Sequence, residues 1–259
     1  MVRSATGGKR EIRVSVSWDY SDRAHTYDKR ADYSVDAVVA AVKAMGLTRG
    51  SRVADIGAGT GKLSKILLEF GLDVLAVEPN ANMRQYGVAN TAGRSIAWSN
   101  GTGEETGIQD SSVSACFFGS SFNVLRQDDA LQEVSRITTP SGWFGCMWNH
   151  RDLDDPLQSR IEQTILSVLP SYDYGTRRQD PTQVLRGSNL FGGVVKIESR
   201  FEVEMTRSDV VDAWRSHETL SRQAGNRFNE LVGRIEGLID TTTVSVPYFT
   251  RIWIAQLSE

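Results

Sequence analysis

The 259-residue sequence lacks most of the features that would take it out of the ordinary globular class. Its two cysteines, Cys116 and Cys146, are too few for a disulfide scaffold. Each lies in an apolar run, Ala115-Cys116-Phe117 and Gly145-Cys146-Met147, and reads as a buried free thiol in a reducing, cytoplasmic setting. No uninterrupted apolar run approaches the roughly 20 residues that cross a membrane, so no membrane partner is expected. Behind the charges of Met1 to Arg10 there is no apolar stretch, so residues 1–17 read as a flexible tail and not as a signal peptide. Neither charge is in excess: 29 Lys plus Arg stand against 32 Asp plus Glu, for a formal charge of -3. That balance gives no support to a dedicated nucleic-acid binder. Internal repeats and low-complexity tracts are missing. With 40% apolar and 24% charged residues, the composition excludes disorder over most of the chain and a fibrous rod.

What is present is an alternation of short apolar strands and amphipathic helices. Val35, Val38, Val39, Val42 and Met45 follow the spacing of one helical face, with Ser34 as cap and Gly46 as stop. Arg52 to Ile56 reads as a strand that runs into Gly57-Ala58-Gly59-Thr60-Gly61, and a helix follows on Leu63, Ile66, Leu67 and Phe70. Further strands are expected at 73–77, 95–98, 112–118 and 143–148, with a helix on Leu131, Val134 and Ile137 and a turn at 139–142. This order predicts an α/β, Rossmann-like, mostly parallel seven-stranded sheet with helices on both faces. Two antiparallel strands, 194–205 and 248–257, are expected to finish one edge, with the last strand antiparallel. Helices are expected at 156–169, after a capping box at Thr206–Asp209, and on Phe228, Leu231, Ile235 and Leu238. Residues 18–259 form one domain in this reading, and 150–190 is an insertion over the carboxyl end of the sheet.

The glycine turn carries the strongest chemical signal. Glycines permit a tight strand-to-helix turn and close approach of a ligand to the backbone. Glu78 ends the next strand, 17 residues past Gly61, where a carboxylate can accept both hydroxyls of a ribose. The spacing is G-x-G-x-G and not G-x-G-x-x-G, which demotes a nicotinamide dinucleotide. Gly61-Lys62 is followed by Leu63, so a triphosphate-binding loop is not supported.

Asp55-Ile56-Gly57-Ala58-Gly59-Thr60-Gly61 resembles the first motif of class I S-adenosylmethionine-dependent methyltransferases, and Val77-Glu78-Pro79-Asn80-Ala81-Asn82-Met83 resembles the second. Asn100 to Glu105 resembles the loop that borders the adenine. Ser111 to Phe117 with Ser120-Ser121-Phe122 resembles the fourth motif, and Thr139 to Trp143 the turn before the fifth strand. Within that family the chain is more similar to the small-molecule branch that includes trans-aconitate methyltransferases. Tyr27-Asp28-Lys29-Arg30-Ala31-Asp32-Tyr33 resembles its Y-x-x-R-P-x-Y segment, with Ala31 in place of proline, and Trp148 to Asp152 resembles its W-N-x-R-D. Phe122-Asn123-Val124 departs from the F-H-W of relatives, so the acceptor does not carry over.

The resemblance implies S-adenosyl-L-methionine as cofactor and a small organic acceptor, with no metal. Glu78 and the adjoining Pro79 would bind the ribose side. Gly57, Gly59 and Gly61 would pass under the methionine part, where Asp55 would hold the amino group and Arg30 the carboxylate. Thr102, Gly103 and Glu104 would flank the adenine, Met83 would pack on its face, and Ser120 would border the cofactor. Transfer is a direct displacement that needs alignment first, and a base only if the acceptor must lose a proton. His25 and His150 are the candidate bases, ahead of His217. Tyr20, Tyr27, Tyr33, Phe122, Asn123 and Trp148 are the candidate acceptor walls. Two other readings stay open: a nucleic-acid or protein methyltransferase, and a protein that binds the cofactor without transferring methyl. Monomer and homodimer are equally compatible with the sequence.

Overall fold

A computed structural model describes residues 30–175 and 179–258. Its helices are α1 (Val35–Ala44), α2 (Lys62–Glu69), α3 (Ala81–Asn90), α4 (Gln127–Ile137), α5 (Pro156–Val168), α6 (Thr182–Gly187), α7 (Arg207–Arg215), α8 (Glu218–Ala224) and α9 (Phe228–Glu236). Its strands are β1 (Arg52–Ile56), β2 (Asp73–Val77), β3 (Ile96–Ser99), β4 (Val113–Gly119), β5 (Thr138–Arg151), β6 (Phe191–Thr206) and β7 (Thr243–Leu257). Among the described residues the strands form one sheet in the order β3-β2-β1-β4-β5-β7-β6. The pairs from β3 through β5 are parallel, and β7 runs antiparallel to both β5 and β6. The mostly parallel sheet with an antiparallel last strand is therefore as the sequence predicts. Because β7 is inserted between β5 and β6, β6 points the same way as β1–β5, and only β7 opposes them.

Alternating side chains divide the core into two layers. On one face Ala54, Cys116, Phe118, Phe144 and Cys146 pack against Ala130, Leu131, Val134 and Ile137 of α4. On the other face Val53, Val74, Ala115, Phe117 and Met147 pack against α1 and α2. Both cysteines are free and buried, and burial lifts the Cys116 thiol to about 12. A third cluster joins α5 and α7–α9 to Met205, Val246 and Tyr248. It sits where β6 and β7 continue as a two-stranded ribbon beyond the end of β5, up to the pair Thr206↔Thr243.

Several elements differ from expectation. Ser34 caps α1 by accepting from the Ala37 N–H, but the buried face is Ala37, Val38, Ala41 and Val42, and Val35 is half exposed. Val38, Val42 and Met45 of the expected face are buried, joined by Ala37 and Ala41. The predicted turn at 139–142 is an irregularity inside β5: its register to β4 shifts between Val113 and Ala115, and Ser141 takes a φ of +57°. Helices α6 and α8 have no expected counterpart. Each is short and too poor in apolar residues to show a period, with Leu185 as the buried residue of α6. Thr206 caps α7 as expected, accepting from the Asp209 N–H at 3.1 Å. Among the described residues no helix is long and apolar enough to cross a membrane.

Candidate active site

The parallel strands end on one edge, and the site is built there from the loops that follow β1, β2, β4 and β5. After β1 the chain turns through Gly57, Gly59 and Gly61, with φ of +69°, +59° and +82°. A side chain at Gly57 would be strained by that φ, and its Cβ would come within 2.5 Å of the Ser121 Cβ. Ser121 in turn donates its Oγ–H to the Ile56 carbonyl at 2.6 Å, which locks the β4 loop against the glycine turn.

Two carboxylates stand behind this turn. Asp55 is fully buried and accepts from Ser64 Oγ at 2.6 Å through Oδ2, while Oδ1 has no hydrogen-bond partner. Burial lifts its pKa from 3.8 to about 7; the nearby Glu78 charge adds to the rise and the Ser64 hydrogen bond opposes it. Glu78 accepts from the Gly59 N–H at 2.9 Å and from the Asn80 N–H at 2.8 Å, one oxygen each. Its carboxyl is also held above its ordinary range by burial, against those two hydrogen bonds. Each oxygen keeps a further lone pair and so remains able to accept another hydrogen bond. Thr60 Oγ1 is a second buried oxygen without a partner. A shallow hollow over the turn is lined by Tyr33, Asp55, Gly57, Thr60, Lys62 and Gly119, among others.

A larger cavity, of about 140 Å³, adjoins it and shares Tyr33 and Lys62 as walls. Its lining adds Arg30, Ser120, Trp148, Asn149, His150 and Arg151 with Tyr174, Ala213, His217 and Tyr248. Tyr33 and Ser120 are joined through their hydroxyls at 2.9 Å, and Ser120 holds a φ of +59°. Asn149 donates to the carbonyls of Ala31 at 3.3 Å and Asp32 at 2.9 Å, and Thr250 Oγ–H donates to Asn149 Oδ1 at 2.6 Å. Thr250 also accepts from the Ser34 N–H at 2.8 Å, so β5 and β7 together hold the segment that carries Tyr33.

Residues 54–146 match the family model described as a methyltransferase domain. A curated relative, the uncharacterised methyltransferase Rv3342 of Mycobacterium tuberculosis, is 41% identical over 101 residues, which cover 39% of this chain. The chain spans only 41% of that relative's length. The crystal structure of YcgJ from Bacillus subtilis superposes with a TM-score of 0.56 over 87% of this chain and 100% of that one, at 14% identity. Phosphoethanolamine N-methyltransferase 2 of Haemonchus contortus, solved with phosphomonomethylethanolamine and S-adenosylhomocysteine, gives 0.52 over 91% of this chain and 57% of that one, at 15% identity. The chain thus has the Rossmann-like fold of these methyltransferase structures. The matched stretch of the methyltransferase domain contains the glycine turn, both carboxylates and β4. It stops at Cys146, short of most of the cavity's lining.

Asp55, Gly57, Gly59, Gly61 and Glu78 are gathered at the turn. Met83 is buried there, its Cε 3.3 Å from where a Gly59 Cβ would lie. Pro79 is exposed at the strand end. Thr102 and buried Gly103 lie in the loop after β3, where Thr102 accepts from the Glu105 N–H. Glu104 accepts from the Arg126 N–H at 2.9 Å, so its carboxylate is already used to hold the loop before α4. Arg30 reaches the cavity but donates to Ser216, through Nε to Oγ at 2.9 Å and through Nη2 to the carbonyl. Tyr33, Ser120, Trp148 and His150 line the cavity. Phe122 does not: it is fully buried in an aromatic cluster with Phe118 and Phe144 and belongs to the core. Asn123 is buried as well, accepting from Trp148 Nε1–H at 2.8 Å. It positions a wall of the cavity and is not itself in the lining. Tyr20, His25 and Tyr27 lie outside the described residues.

The sequence candidates do not include the lining residues Lys62, Asn149, Arg151, Tyr174 and Tyr248, and place His217 last among the histidines. Asn149 and Arg151 lie inside the W-N-x-R-D stretch, which was a usable signal. Tyr248 and His217 had none, because only the β5–β7 register and the packing of α7 bring them in. His217 caps α8, accepting from the Leu220 N–H at 3.3 Å through Nδ1. A neutral His217 therefore carries its hydrogen on Nε2 and acts there as a donor, not as a base.

Proposed function

We propose that this chain is an S-adenosylmethionine-dependent methyltransferase that methylates a small organic acceptor in the cytoplasm. The observation that carries the reading is the adjacency of two spaces. A glycine-turn hollow, with the partnerless Asp55 Oδ1 and Thr60 Oγ1 beneath it, shares the walls Tyr33 and Lys62 with an aromatic-lined cavity. Two buried oxygens without partners are costly unless a ligand completes them. That fits a cofactor with an ammonium group and hydroxyls.

In this reading Asp55 takes the amino group, the turn's backbone passes beneath the methionine part, and Glu78 accepts from the ribose hydroxyls. Thr102 and Gly103 border the base, with Met83 behind them. When bound, the cofactor supplies a methyl group already activated on a sulfonium. The protein's task is then alignment, and an acceptor space directly beside the cofactor space supports it. Tyr33 and Ser120 stand at the junction of the two spaces, and Trp148 forms one cavity wall. His150, at the carboxyl end of β5, is the proton acceptor for an acceptor that must be deprotonated. The cap is the layer of α5 and α7–α9 together, not the 150–190 segment alone.

The test is a calorimetric titration with S-adenosylhomocysteine and with NAD, followed by a methyl-transfer assay on an acceptor panel. Binding of the first and not the second is expected, adding about 2.7 kcal/mol of stability at about 100 times the dissociation constant. Binding of NAD without S-adenosylhomocysteine overturns the reading of the turn. Tight binding with no transfer to any acceptor favours a protein that uses the cofactor without donating methyl.

A further inference from the structure

The charged side chains that line the cavity among the described residues are of one sign. Among the described residues its lining holds Arg30, Lys62, His150, Arg151 and His217, and neither Asp nor Glu. The three permanent cations, Arg30, Lys62 and Arg151, are not equivalent. Lys62 Nζ is paired with Asp32 at 2.7 Å, and Arg30 is bound to Ser216. Arg151 is held differently. Its guanidinium lies 3.9 Å from the centroid of the buried Trp214 ring and 5.9 Å from that of Tyr248. No acidic partner of Arg151 occurs among the described residues, and Asp152 beside it is engaged by Arg200 at 2.9 Å.

Stacking uses the flat face of a guanidinium. It leaves the five N–H donors, which lie in the plane, directed past the edge of the ring. Such a group is fixed in orientation and partly stripped of water. It gains most from a planar or tetrahedral anion that accepts two parallel hydrogen bonds. A neutral acceptor would leave it incompletely paired, and a cationic one would be repelled. The rest of the wall is aromatic, with Tyr33, Trp148, Tyr174 and Tyr248, and suits an apolar body attached to the charge.

We propose that Arg151 anchors an anionic group of the methyl acceptor, a carboxylate or a phosphate, and so selects small organic anions. This rests on the cavity being the acceptor site, as argued above. Arg151 is then a specificity-determining residue, fixed by its cross-strand pairing with Tyr248 and by the Trp214 ring.

The experiment uses matched probes on the full chain: benzoate against benzamide, and phenyl phosphate against phenol, followed by calorimetry and by shifts of the indole N–H signals. In the wild type at least one anion binds about tenfold or more tightly than its neutral partner. Whichever pair shows the preference identifies carboxylate or phosphate as the anchored group. Arg151→Met, which keeps the stem and removes the charge, brings that ratio to about one, and Arg151→Lys keeps a reduced preference because a point charge cannot make the paired contact. Equal binding within both pairs, no binding of either anion, or an anion preference that survives in Arg151→Met overturns the proposal. The wild-type comparison stands even if a variant fails to fold. S-adenosylhomocysteine titrations on the same proteins keep the two readings apart. Retained cofactor binding without anion preference sinks the anchor alone. Anion preference without cofactor binding sinks the methyltransferase reading and leaves the anion site.

Discussion

Asp55→Asn keeps the shape of a fully buried side chain and removes its titration. The wild-type carboxyl ionises at about 7 in the folded protein, chiefly because it is buried, and near 3.8 when unfolded. Between those values the folded state binds more protons than the unfolded one, so stability falls as pH rises through the window and levels off above it. Fully ionised at pH 8, the group costs on the order of 4 kcal/mol. The asparagine carries no such cost and can still accept from Ser64. Urea unfolding of both proteins should therefore show the variant gaining about 3–4 kcal/mol relative to the wild type between about pH 4 and pH 8. Affinity for S-adenosylhomocysteine should run the other way. It should rise in the wild type as pH approaches 7, because in the proposed site the carboxylate would meet an ammonium, and it should be weaker and flat in the variant. A stability difference that does not change with pH, or a variant destabilised equally at every pH, would refute the reasoning. Asp55 would then be a cap for the turn held by Ser64.

Glu78→Gln places an amide N–H against one of the two backbone donors of Gly59 and Asn80. S-adenosylhomocysteine binding measured by calorimetry should weaken by roughly 1.5–3 kcal/mol, and unchanged affinity in a folded variant removes Glu78 from the site. Gly57→Ala combines a φ of +69° with a Cβ 2.5 Å from that of Ser121. It should lose about 1–3 kcal/mol in urea unfolding and lose cofactor binding, whereas a normal midpoint with full affinity contradicts the close approach. Thr250→Val deletes the hydroxyl that joins the Ser34 N–H to Asn149 Oδ1. It should cost about 1–3 kcal/mol, with Thr250→Ser close to wild type; equal losses in both variants would mean that packing, not the hydroxyl, matters.

The parts of the fold that were readable in the sequence are those whose cause is local. The β1 strand, its glycine turn and Glu78 lie within one βαβ unit, where each residue type has a direct geometric reason. The caps at Ser34 and Thr206 likewise need only a few neighbouring residues. What escaped depends on partners far along the chain. Phe122 is a core residue because Phe118 and Phe144 stand beside it, and nothing in Phe122-Asn123-Val124 announces that. Val35 is exposed because the face of α1 that packs inward is Ala37, Val38, Ala41 and Val42. Helix α8 begins at a histidine cap and is too short to show a period.

The register of β7 on β5 connects these long-range effects to the site. β4 ends against Met147, so Trp148 to Arg151 have β7 as their pairing partner. In that register Thr250 faces Asn149 and Tyr248 faces Arg151. The first pair ties down the segment bearing Tyr33, beside the glycine-turn hollow. The second sets the guanidinium in the cavity. Side chains alternate along a strand, so a slip of one residue would turn Thr250 and Tyr248 to the opposite face and undo both contacts at once. The antiparallel last strand thus sets the spacing between the hollow and the cavity, and under the proposed function that spacing is what a reaction driven by alignment requires.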